Sequence, residues 1–240
     1  MAQLADSTPS PTPTVESSPA QPTPTVAPPV LEPGTIVATG VLTGDPLITG
    51  DVDVHISAAG GFELRLLNFS SRRNEDVEVR ISPRVVEPGA KCTSSIMTLS
   101  FGGVSWTPDL VFPLTRSSEE EDPTYFDTVI LTHHDPNSLA NECYVPVLSS
   151  AILTWTLPDM RPGLSVADTG ETSGARGAVT LQDGAPLTYT VAPNDSAASV
   201  AARFGITVDD LFYLNPIRTT IIEYPMLQIG EVLNISKEDR

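Results

Sequence analysis

From Thr35 onward, apolar and polar residues alternate in short segments separated by turn residues. Asp51–Ser57 (DVDVHIS) places Val52, Val54 and Ile56 on one face at period two. Gly60-Gly61 then reads as a hairpin turn, and Phe62–Phe69 (FELRLLNF) returns. Thr35–Thr43, Asp76–Ile81, Ser95–Phe101, Thr124–Thr132 and Val145–Leu157 continue the same texture. About seven or eight strands with almost no helical periodicity predict an antiparallel β-sandwich or jelly-roll-like domain over residues 35–158. That length suffices for one hydrophobic core.

The pattern then changes twice. Residues 159–186 are rich in Gly, Ser, Thr and Asp and read as a linker. After them comes the order strand, helix, helix, strand. Leu187–Val191 (LTYTV) is a short strand, and Pro193-Asn194-Asp195-Ser196 supplies turn and cap chemistry. Ala197, Val200, Ala201 and Phe204 recur at helical spacing, and Gly205 sits where a helix needs a positive φ to stop. Thr207 and Asp210 have the spacing of a capping box, opening a second helix over Thr207–Leu214. Asn215-Pro216 ends it, and Glu231–Ile235 (EVLNI) closes the unit as a strand.

These stretches, YTVAPNDSAASVAARFGITVDDLFYLNP and LQIGEVLNIS, resemble the LysM domain, a small α+β (βααβ) carbohydrate-binding module. The resemblance covers residues 187–235. Its positions are Tyr189, Val191, Asp195, Val200, Ala201, Phe204, Gly205, Val208, Leu211, Leu214, Asn215, Gly230 and Leu233. Two departures stand out: Asn194 takes the place of the usual Gly before Asp, and the loop from Asn215 to Gly230 is longer than typical. The resemblance implies non-catalytic binding of N-acetylglucosamine polymers, peptidoglycan or chitin. Carried over by position, the groove has Pro193, Asn194, Asp195 and Ser196 on one side. Asn215, Pro216 and Ile217, with Leu227, Gln228 and Ile229, form the other. Small polar groups and backbone amides would bind the N-acetyl group, and apolar side chains would cover the sugar face. Each of these residues also has a bland role in a turn, cap or core.

The first 34 residues hold nine of the 23 prolines and no aromatic residue. Such a segment buries too little apolar surface to offset the entropy of ordering. Residues 1–34 therefore read as a disordered Pro/Thr/Ser-rich tether, partly polyproline II, reaching on the order of 80 Å. Residues 236–240 read as a tail. Met1–Asp6 has neither a basic nor an apolar leader character, so a membrane anchor would have to lie upstream of Met1. No apolar run is long enough to be a transmembrane segment.

Charge narrows the partners. The formal net charge is −17, only Lys91 and Lys237 are lysines, and no segment is net basic. A nucleic-acid partner needs basic residues to displace counterions, so none is expected. Retention on a polymer must come from neutral sugar recognition.

Candidate chemistry elsewhere is sparse. Cys92 and Cys143 are the only cysteines, and an even pair in an exported chain is expected to form a disulfide. Two independent thiols in a cytosolic protein are the other reading. His133-His134-Asp135 leads into a loop, and adjacent strand residues point to opposite faces, so the pair reads as strand-end polar residues. Glu119–Asp122 reads as a solvated acidic loop rather than a calcium site. No GxSxG, HExxH, Walker or GxGxxG pattern occurs. No metal, cofactor or catalytic residue is expected.

The first expectation is a cell-wall glycan-binding protein, secreted or held at the cell surface of a bacterium. Its β domain would be a spacer or a docking surface for a protein partner the sequence does not identify. Two others stay open: an exported wall-active enzyme with a catalytic β domain, and a divergent LysM module that binds protein.

Overall fold

The computed structural model describes residues 27–73, 76–91, 99–104, 109–114, 122–134, 146–218 and 226–240. Residues 1–26 of the expected tether, Glu119–Glu121 of the acidic run, and both Cys92 and Cys143 lie outside the described residues.

The chain is mostly β, with antiparallel sheets and two short helices near the C-terminus. Ten strands make the sandwich. They are β1 (Ile36–Val41), β2 (Thr43–Gly44), β3 (Ile48–Ile56), β4 (Phe62–Ser71), β5 (Val77–Ser82), β6 (Leu99–Val104), β7 (Leu110–Pro113), β8 (Thr128–His133), β9 (Val147–Ile152) and β10 (Thr154–Trp155). One five-stranded sheet has the order β10-β1-β3-β4-β7, the other β2-β9-β8-β5-β6. The alternation dictates this packing. Val52, Val54 and Ile56 pair with Leu66, Leu64 and Phe62 across β3 and β4, and all six face inward. Val77, Val79 and Ile81 of β5 join Val129 and Leu131 of β8 from the facing sheet in the same core. The turn at Ser57–Gly61 closes the β3–β4 hairpin, with Gly60 at φ 84°.

Two features depart from simple alternation. Every residue of β5 is buried, Glu78, Arg80 and Ser82 included. Val86 and Ala90, in the segment after β5, pack with Ile130 and Val147 in a second small cluster. Strand β7 was not expected: its four residues end in Pro113, and as an edge strand it pairs only with β4.

The start of the sandwich lies earlier than Thr35. Leu31 packs on the core, and the Gly34 amide donates to the Ile56 carbonyl at 2.7 Å. The last residues of the expected tether are therefore docked.

The C-terminal unit is larger than residues 187–235. Strands β11 (Ala178–Gln182), β12 (Ala185–Thr190) and β13 (Val232–Asn234) form an antiparallel sheet in the order β11-β12-β13. Helices α1 (Ala197–Arg203) and α2 (Val208–Tyr213) pack on it. The expected linker 159–186 is corrected here: it contributes β11, and Val166 and Ala175 belong to this unit's core. The signal was present as Asp183-Gly184, a two-residue hairpin turn with φ of 52° and 86°. The expected tail 236–240 makes contacts of its own. Lys237 reaches back to Asp159, and Arg240 to Asp122 of the sandwich.

Candidate functional site

The candidate residues come from three loops that the short sheet draws together. The Val191 amide donates to the Glu231 carbonyl, and the Gly230 amide to the Val191 carbonyl, both at 2.8 Å. This lays the 228–231 turn beside the start of the 192–196 turn. Asn215 joins the third loop: its Nδ2 donates to the Leu211 and Asn234 carbonyls at 2.8 Å, and its Oδ1 accepts from the Asn234 amide at 2.7 Å.

The first turn is built around Asp195. Its Oδ1 accepts from the Arg176 amide at 2.9 Å, and its Oδ2 accepts from the Ala192 amide at 2.8 Å and from the Tyr189 hydroxyl. Burial alone would raise this carboxyl, but the Tyr189 hydroxyl and the amides of Arg176, Ala192 and Gly177 outweigh it and hold it below the usual range. Burial, and then Asp195, push the Tyr189 hydroxyl up to about 12. That hydroxyl also accepts from the Gly177 amide at 2.8 Å. Asn194 stands at φ 66°, so it does adopt the left-handed conformation that a Gly would supply. Ser196 caps α1 by accepting from the Ser199 amide at 3.2 Å, and its own amide donates to the Gly174 carbonyl at 2.9 Å.

A strap from the corrected linker holds this turn from outside. Arg203, although in a helix, is buried. Its guanidinium forks onto Asp168 at 2.7 and 2.9 Å and donates to the Ala175 and Gly177 carbonyls at 3.0 Å. That hydrogen bond from Arg203 holds the Asp168 carboxyl low. Gly177 lies so close to Tyr189 that an added Cβ would stand 2.1 Å from the Thr190 carbonyl oxygen and 2.5 Å from the ring.

The second side is pinned by Arg218. This buried side chain pairs with Glu231, donates to the Met226 carbonyl, and stands 4.9 Å from the Phe212 ring centroid. Glu231 also accepts from the Gln228 amide at 2.9 Å. Both described ends of the long loop are thereby tied to one guanidinium.

The ten candidates now separate. The polar groups of Asp195 and Asn215, and the amide and hydroxyl of Ser196, are engaged within the fold. Pro193, Asn194, Gln228 and Ile229 are exposed, Ile217 is exposed at its margin, and Pro216 and Leu227 are half-buried. Ile229 is 72% exposed, which singles it out among apolar residues of the site. Asp168, Arg203, Arg176, Arg218 and Glu231 were missed by sequence reasoning. Only Arg203 left a signal, as a charge one residue from Phe204 beside an apolar helix stripe.

Elsewhere, His133 lies 3.4 Å from Arg73 and His134 3.8 Å from Glu78, so the two rings have separate neighbours. Among the described residues no three His, Cys, Asp or Glu side chains cluster as a metal site. No helix of the described residues is long and apolar enough to cross a membrane.

No curated protein matches the chain, and no solved structure does. Residues 189–236 match the family model of the LysM domain, and β12, α1, α2 and β13 follow in the order that the family resemblance implied. The chain therefore carries a LysM domain at 189–236, preceded by a strap and strand that extend it.

Proposed function

We propose that this chain is a non-catalytic binding protein for N-acetylglucosamine-containing glycan, peptidoglycan or chitin, acting outside the cytosol at a cell wall. The LysM match supports glycan binding of this general kind. One observation carries the choice of residues. The two turns that meet at Val191 and Glu231 leave Pro193, Asn194, Ile217, Gln228 and Ile229 accessible, while the polar groups of Asp195, Ser196 and Asn215 are used to shape them. In this reading Ile217 and Ile229 cover the apolar face of a sugar ring. Asn194, Gln228 and backbone groups of the two turns hydrogen-bond its N-acetyl group. Leu227 and Pro216 support them. The sandwich acts as a spacer or docking surface. A disulfide between Cys92 and Cys143 belongs to the same proposal of an exported protein.

The test is sedimentation with insoluble peptidoglycan and with chitin. The full chain should be retained at high salt, because no basic segment contributes. Ile229→Asp should abolish retention while leaving the circular dichroism unchanged. Equal retention of the wild type and Ile229→Asp would refute the assignment of this face. Release of muropeptides or reducing sugars by the wild type would refute the non-catalytic reading.

A further inference from the structure

The LysM domain does not hang free of the sandwich, and the contact falls next to the candidate site. Asp122 of the sandwich and Arg240 are both buried, with side-chain exposures of 6% and 7%. Arg240 donates through Nη2 to the Asp122 carbonyl at 2.7 Å and through Nη1 to the Thr124 hydroxyl at 2.9 Å, and Nη1 lies 3.0 Å from the Asp122 carboxylate. Its Nε donates to the carbonyl of Tyr213 at 2.7 Å. The Tyr213 hydroxyl donates to the same Asp122 oxygen that Nη1 faces, Oδ2, at 2.6 Å. The guanidinium stands 4.1 Å from the Tyr213 ring centroid and 5.6 Å from that of Tyr125. The sandwich end is firmly held. Phe126 sits in the core, and its carbonyl accepts from the Trp155 indole at 2.7 Å.

Tyr213 is the last residue of α2, where backbone carbonyls lack helical partners and cations are favoured. The helix has no basic residue of its own in that turn. Arg240 supplies one from outside. Leu214 caps the helix, and Asn215, Pro216 and Ile217 follow at once.

We propose that Asp122 and Arg240 are positioning residues for glycan binding: by clamping the last turn of α2 they set the wall that carries Asn215–Ile217. The sandwich then controls the affinity of the LysM domain through Asp122. This rests on the glycan-binding reading above.

A nearby ion pair provides the control. Lys237 bridges to Asp159 at 2.7 Å and donates to the carbonyl of Arg161, whose own guanidinium pairs with Asp210 and stands 4.5 Å from the Tyr213 ring centroid, so its link to α2 is indirect. Removing it takes one bond from the Arg161 backbone and leaves the direct bonds of Arg240 to Tyr213 and Asp122 in place.

The experiment is titration of the full chain with a soluble N-acetylglucosamine oligosaccharide, with amide hydrogen exchange over 214–218 followed in parallel. Arg240→Ala and Asp122→Ala should each weaken binding by about fivefold or more and speed exchange of those amides. Lys237→Ala should change binding by less than about twofold. Arg240→Lys, which keeps the charge but not the fork, should fall between. Wild-type affinity in Arg240→Ala and Asp122→Ala would overturn the proposal and leave the glycan reading intact. Equal weakening in Lys237→Ala would overturn it too, by reducing the clamp to general support. A wild type that binds no oligosaccharide would remove the glycan reading, and the proposal with it.

Discussion

The sandwich and the LysM domain are both built from short antiparallel strands, yet they are held in different ways. The sandwich buries rows of Val, Leu, Ile and Phe between two five-stranded sheets, and its hydrophobic core spans both. The LysM core is a smaller cluster around Tyr189, Phe204 and Leu211. A small unit removes less apolar area from water per residue ordered. Its shape is set instead by buried or half-buried polar side chains. Arg203 holds the strap, Asp195 holds the first turn, Asn215 holds the end of α2, and Arg218 holds the long loop. The lesson is that single polar substitutions should hurt the LysM domain most and single apolar truncations the sandwich.

Two spectroscopic signals separate the regions. Both tryptophans, Trp106 and Trp155, precede the LysM domain, while α1 and α2 are the only α-helices among the described residues. Trp155, whose indole donates to the Phe126 carbonyl, therefore reports on the sandwich by fluorescence, and helical circular dichroism follows the LysM domain.

The largest expected effect is Arg203→Ala. It leaves Asp168 without its fork and two carbonyls without their donor, at a cost of about 3–5 kcal/mol. The helical transition should move to a lower temperature ahead of the fluorescence transition. If both shift together, the clamp at Asp122 joins the two regions into one cooperative unit, and the comparison breaks.

The mirror experiment is Leu64→Ala. This fully buried side chain faces Val54 across the hairpin, and its truncation should cost about 3 kcal/mol. Fluorescence should now report the earlier transition, with oligosaccharide affinity retained at low temperature.

Gly177→Ala should cost about 2 kcal/mol, because its Cβ overlaps the Thr190 carbonyl and the Tyr189 ring. A helical midpoint equal to wild type would show that the strap can shift aside, and that the Asp195 turn is less dependent on it than the geometry indicates.

Acid and alkali sharpen the contrast further. Asp195, Asp168, Asp210 and Asp122 all hold their carboxyls below the usual range. Burial opposes this at all four. It is outweighed by hydrogen bonds and, at Asp122, first by the Arg240 charge. Their contribution is complete above about pH 4, where unfolded carboxyls are ionised, and is lost as pH falls through the lower folded values. Tyr189 acts at the other end. Its folded value of about 12 exceeds the unfolded value near 10, so its contribution is complete below about pH 10 and lost as pH rises towards 12. The helical midpoint should fall on both sides of a plateau, and Tyr189→Phe should flatten the alkaline arm.

The smallest effect is expected from Asn194→Gly. Asn already occupies the left-handed region, so stability should change by less than about 0.5 kcal/mol. A large gain in stability would mean that the turn is strained by the Asn.

Much of this was legible in the sequence, for local reasons. Period-two alternation located β3 and β4 because one face of each is buried in the core, and it located β5 although its polar positions are buried as well. Thr207 and Asp210 do form the capping box, each binding the other's backbone amide. Gly205 stops α1 at φ 71°. What was missed lacked a local cause. Gly, Ser and Thr in 159–186 imitate a linker, and the strap is ordered only because Arg203, Asp195 and Ser196 lie across from it. Arg240 reads as part of a charged tail until Asp122 and Tyr213 are placed beside it.

Chain order and side-chain type by themselves determined the two β-rich regions, the helix caps and the LysM resemblance, because each depends on residues a few positions apart. They also determined that no segment is basic. Only the tertiary structure decided which candidate groups are accessible. It alone showed that Asp195 and Asn215 spend their hydrogen-bonding capacity inside the fold, that Ile229 stands exposed, and that a sandwich carboxylate reaches the end of α2. The reason is physical: a polar side chain's role is set by the partners that satisfy it, and here each of these side chains has at least one partner 13 or more residues away along the chain, up to 118 for Arg240 and Asp122.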